Sequence, residues 1–109
     1  MIQYSIEKKI GKLVLTLNGS MDQATAQKFF SEFTSATDSI DPSQYVLEIL
    51  ANDLNVATSD MQDSLKNALK LYQSLNFKSI VMKLGNNAVL NMQVNRIARE
   101  AGLTNFKIV

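Results

Sequence analysis

Residues 45–62 read YVLEILANDLNVATSDMQ, and the change of period inside this stretch decides the fold. Tyr45 to Leu50 is a short, nearly continuous apolar run interrupted only by Glu48. Such a run suits a central strand buried on both faces. From Ser59 onward the spacing turns helical. Met61, Leu65, Ala68, Leu69 and Tyr72 share one face and Leu75 continues it, while Asp63, Lys66, Asn67, Lys70 and Gln73 lie away from it. An apolar strand passing through a polar turn into an amphipathic helix is the repeating unit of an α/β sheet.

Upstream, Tyr4 and Ile6 alternate with polar residues, Gly11 offers a turn, and Leu13, Leu15 and Leu17 alternate again. Period two on either side of a glycine predicts an antiparallel hairpin. Val14, on the other face, predicts a second strand covered on both sides. Ala26, Phe29, Phe30 and Phe33 then recur at helical spacing, with Ser20 or Asp22 as the cap. The segment TDSIDPSQ, which holds the single proline Pro42, is a loop.

Downstream, Ile80, Val81, Met82 and Leu84 form another short strand, and Gly85-Asn86-Asn87 forms a turn. Leu90, Val94, Ile97, Ala98 and Ala101 make the buried stripe of a last helix that Gly102 closes, and FKIV ends the chain as an edge strand. The order β-β-α-β-α-β-α-β predicts one α/β domain over residues 1–109. Its sheet is mixed, with about five strands, and its helices pack mainly on one face of it.

Composition excludes more than it names. A chain of 109 residues is long enough for one core, which buries roughly 65% of the unfolded surface. With a net charge of +1 there is no global field to attract nucleic acid or an anionic membrane. Cysteine is absent, so thiol catalysis and thiolate metal sites are excluded; histidine is absent too, which removes the usual general base and the commonest zinc ligand. No enzyme activity, cofactor or metal is expected. The N-terminal stretch has no signal-peptide core and no segment approaches a membrane span, which reads as a cytoplasmic protein with no membrane insertion.

The chemistry-bearing residues gather around the middle helix. Ser59 followed by Gln62 has the spacing of a capping box, and Thr58 or Ser59 can satisfy an orphan N–H there, worth about 1 kcal/mol. A helix N-terminus also favours a phosphate, because N–H groups and dipole both point at it. Asp60 and Asp63, with Asp53 nearby, read as complements to that dipole rather than as a metal site. Gly85, Asn86 and Asn87 form a second loop, placed at the same end of the sheet and available to a small ligand. Val89 and Met92 lie off the buried stripe of the last helix, near Arg96 and Arg99, as a contact with another protein would require.

Three anchors together resemble the STAS domain family, the fold of bacterial anti-sigma factor antagonists and of sulfate-transporter tails. The first is KLVLTLNGSMDQATAQKF, with Gly19, Asp22 and Ala24-Thr25-Ala26 where the family has a glycine, an acid and a helix-opening ATA. The second is YVLEIL with Glu48 inside it, and the third is VNRIAREAGLTNFKIV, similar to the family's last helix and strand. The resemblance covers essentially the whole chain. The family's functional motif is Asp-Ser-Ser-Gly-Leu, whose first serine is phosphorylated by a partner kinase. Aligned on Met61, Ala57, Thr58, Ser59 and Asp60 stand at its Asp, Ser, Ser and Gly. Both hydroxyls are kept, the acid before them is lost, and the glycine has become an acid.

The resemblance implies a non-catalytic protein-interaction module in bacterial signalling. Thr58 and Ser59 are its phosphorylation candidates, and Asp22, Asn55, Asp60, Gln62 and Asp63 its partner-binding residues. The partner implied is another protein, either an anti-sigma factor with serine kinase character or a second copy of the chain. The missing Asp and Gly leave open a structural or oligomerisation subunit without a switch, and the two loops leave open a small-ligand carrier.

Overall fold

The structure is a computed structural model. It describes residues 3–20, 23–52, 54–55, 59–85 and 88–109, with the backbone alone for Gln3, Ser20, Gln23, Leu54 and Asn55. The hairpin is β1 (Gln3–Lys9) and β2 (Lys12–Ser20). After α1 (Gln23–Asp38) and a single 3-10 turn come β3 (Val46–Leu50), β4 (Leu54–Asn55) and α2 (Ser59–Ser74). The chain closes with β5 (Ser79–Lys83), α3 (Ala88–Glu100) and β6 (Phe106–Ile108).

The main sheet runs β1-β2-β3-β5-β6, with β1 and β2 antiparallel and the other pairs parallel. From β2 onward each new strand is added on the same side of the last. Right-handed crossovers then place every connecting helix on the same face of the sheet. The mixed five-strand sheet, its order and its three helices follow the pattern read from the sequence. The addition is β4, in the stretch that reads as loop. The nine-residue β2 outruns the five-residue β3, and its free end at Gly19 and Ser20 pairs parallel with Leu54 and Asn55.

Register explains the core. Ile6, Leu15, Ile49, Met82 and Ile108 form one row across the sheet, and Leu13, Leu47, Ile80 and Phe106 form the next. These rows meet Ala26, Phe29 and Phe33 of α1, Leu65, Ala68, Leu69 and Tyr72 of α2, and Leu90, Val94, Ile97 and Ala98 of α3 in one cluster. Phe33 is its aromatic hub, with ring centroids 5.7 Å from Phe29, 5.1 Å from Tyr72 and 6.2 Å from Phe77.

Among the described residues the opposite face carries no helix; Val14 of β2 is buried there as read, whereas the reading of β3 as buried on both faces is corrected. Leu47 and Ile49 are buried, whereas Val46, Glu48 and Leu50 are half-buried. Val14 is buried but stands outside the core cluster, in a row with Glu7, Glu48, Val81 and Lys107. Its row neighbours Glu7, Glu48 and Lys107 carry long side chains, whose apolar stems can shelter a valine without a second layer of helices. Glu48 is held on that face by Lys12 Nζ at 3.4 Å and Lys83 Nζ at 3.7 Å.

Candidate docking surface

The candidate surface begins where β3 hands the chain to α2. α2 starts at Ser59, whose side chain is exposed, as are those of Asp60 and Asp63. Asp60 lies in the first turn, where its carboxylate complements the positive end of the helix dipole. Thr58 lies outside the described residues, as do Asp22 and Asp53; of Asn55 only the backbone is described, as part of β4. The phosphorylation candidates therefore reach the structure through Ser59 alone.

Gln62 and Lys66, on the next turns, face α3. Arg96 Nη2 donates to Gln62 Oε1 at 2.6 Å, and Lys66 Nζ lies 4.0 Å from Glu100 Oε2. Ser59, Gln62, Asp63 and Lys66 follow the i, i+3, i+4, i+7 spacing of one helical stripe, and Arg96 and Glu100 are one turn apart on the facing helix. Together with Ile97 they line a cleft of 330 Å³ with two cations and two carboxylates besides the hydroxyl of Ser59. The sequence marked Gln62 and Asp63 here and Arg96 only for a contact on the last helix, and it missed Lys66 and Glu100. Arg96 and Gln62 are 34 positions apart, and no local spacing announces such a pair.

Gly85, at φ +69°, lies beside Asn52, whose side chain is 3.8 Å from where a Gly85 Cβ would stand. Asn86 and Asn87 lie outside the described residues. Among the described residues no group of three acidic side chains is arranged to hold a metal ion. On the outer face of α3, Val89, Met92, Gln93, Asn95, Arg96 and Arg99 line a larger cleft of 710 Å³, and Arg96 belongs to both clefts.

No family model matches the sequence, and no curated protein matches it either. A solved structure does. An uncharacterized protein from the DUF3478 family of Shewanella loihica PV-4, described as having a SpoIIAA-like fold, superposes on 99% of this chain and 85% of its own. The TM-score is 0.64 at 18% identity.

The fold is the STAS fold.

The turn that opens α2 is the one the sequence singles out, and Ser59 and Asp60 stand exposed at the first positions of that helix. Across α2 of this STAS fold, Gln62 and Lys66 tie that turn to α3. No helix among the described residues is long and apolar enough to cross a membrane.

Proposed function

We propose that this protein is a non-catalytic interaction module in bacterial signalling, resembling an anti-sigma factor antagonist. Its docking face is the surface from Asn55 to Asp63. The exposed first turn of α2, on a STAS fold, carries this reading. A phosphate at Thr58 or Ser59 would bring a charge of about −1.5 to −2 beside Asp60 and Asp63 and expel a partner that accepts the neutral hydroxyl. The test is a pull-down from bacterial lysate with identification by mass spectrometry, repeated with Asp60→Lys and Asp63→Lys together. The expected result is a protein captured by the native chain and lost by the variant. Identical capture by both would sink the docking face. For the switch, a captured kinase with ATP should add one phosphate at Thr58 or Ser59, and an unchanged mass removes it.

Asp60 favours a second reading, a structural subunit without a switch, because an exposed carboxylate next to Ser59 opposes an incoming phosphate. Light scattering separates the two. A mass that rises with concentration to a defined oligomer supports the subunit, and a strict monomer at all concentrations argues against it.

A further inference from the structure

Val89 and Met92 are 65% and 73% exposed, and they are large apolar residues on the same outer stripe of α3 as Arg96 and Arg99. The 710 Å³ cleft they line has two guanidinium groups and no carboxylate among its described residues. Arg99 forms none of the ion pairs found among the described residues, and Arg96 spends one of its five donors on Gln62. From Val89 to Arg99 the stripe is about 15 Å long at the helical rise of about 1.5 Å per residue. Its apolar end and its cationic end are therefore about two helical turns apart. An acidic amphipathic segment has the complementary order, an apolar anchor with carboxylates two turns away.

We propose that α3 is a docking groove for an acidic amphipathic helix of a partner protein, with Val89 and Met92 taking the apolar anchor and Arg96 and Arg99 the carboxylates. A flat anionic membrane fits less well, since Asp63 and Glu100 flank the same arginine in the adjoining cleft and would meet the lipid phosphates. A narrow segment laid along one helix avoids them. The inference rests on the interaction-module reading for the class of ligand, a protein, but not for the place.

The experiment puts a photo-crosslinking amino acid at Met92, and separately at Asp60, in the full chain expressed in its host cell. Adducts are then identified by mass spectrometry. The expected Met92 adduct is with a segment of another protein that carries net negative charge. Arg99→Glu should weaken its yield about tenfold, as a loss of about 1.4 kcal/mol in binding does. Arg99 has no ion pair to lose among the described residues, so the variant gives up only a favourable charge in the last turn of α3, and circular dichroism verifies that the fold is kept. An adduct with lipid, with a second copy, or with a neutral or basic segment overturns the proposal. So does no adduct at Met92, or a yield indifferent to Arg99→Glu. Adducts at Asp60 without any at Met92 overturn the groove and leave the docking face of α2 intact. Adducts at neither position overturn both.

Discussion

The hydroxyl of Tyr72 has no hydrogen-bond partner among the described residues although the residue is 1% exposed. Its ring is needed, packed edge-on against Phe33, but the oxygen is desolvated for nothing. An orphan buried hydroxyl costs about 1–3 kcal/mol. Tyr72→Phe should therefore raise the urea midpoint, by an amount equivalent to about 1 kcal/mol, and a lowered midpoint would mean that the hydroxyl has a partner in solution. Gly102 is the opposite case, a residue whose lack of a side chain is used. It sits at φ +81°, Leu103 N donates to Ala98 O at 3.1 Å and Gly102 N to Arg99 O at 3.1 Å, which is the paired bond set of a Schellman cap. A Cβ there meets nothing within 4 Å, so the cost of Gly102→Ala is backbone strain alone, about 1–2 kcal/mol. Thermal unfolding measures it, and an unchanged Tm contradicts the cap. Both positions could be picked from the sequence, Tyr72 as core and Gly102 as C′. What the sequence could not show is that Tyr72 lacks a partner, because that depends on which atoms surround it after α1 and α2 pack.

Among elements, the helices are held by apolar faces rather than by the polar pairs between them. Lys66 and Glu100 are 34% and 49% exposed at 4.0 Å, a screened surface pair worth about 0–1 kcal/mol. Removing it with Lys66→Ala should change stability by less than about 1 kcal/mol. Phe33→Ala, which empties the hub shared by α1, α2 and the residue leading into β5, should cost about 3–5 kcal/mol. Chemical denaturation of the two variants compares them directly, and a larger loss for Lys66→Ala would reverse this ranking. Helix faces were legible because a period of 3.6 with several apolar residues per face is a strong local signal. β4 was not legible. A two-residue strand has no period, and it exists only because β2 extends beyond β3. The burial of β3 was overestimated for a related reason: Leu50 and Val46 are apolar whether or not a helix covers them, and coverage is set by the handedness of crossovers elsewhere in the chain.

At the scale of the whole molecule, alkaline pH should be the destabilising direction. Tyr4 donates to Glu32 Oε2 at 2.5 Å, and that hydrogen bond to a carboxylate, with some burial, pushes its hydroxyl up to about 12. Burial pushes Tyr72 up as well. In the unfolded chain tyrosine titrates near about 10, so above that pH the unfolded state has released protons that the folded state still holds. Stability then falls with rising pH. The contribution is intact below about pH 10 and is lost progressively on the way to about 12, where Tyr4 itself ionises. Urea unfolding across that window should show the decline, and Tyr4→Phe with Tyr72→Phe should flatten it; an equally steep fall in the double variant would trace it to other groups.

The sequence by itself determined the element order, the hairpin at Gly11, the apolar faces of all three helices and the absence of thiol and imidazole chemistry. These depend on residue identity and on spacing within a turn or two, and both are local. Only the tertiary structure decided that one sheet face is left without a helix among the described residues, that Val14 is buried on that face, and that Arg96 joins α3 to Gln62 at the start of α2. It also decided that the stripe of Val89, Met92, Arg96 and Arg99, legible as such in the sequence, lines an open cleft. Those outcomes follow from crossover handedness and from residues brought together across 34 positions of chain, distances over which a one-dimensional pattern carries no register.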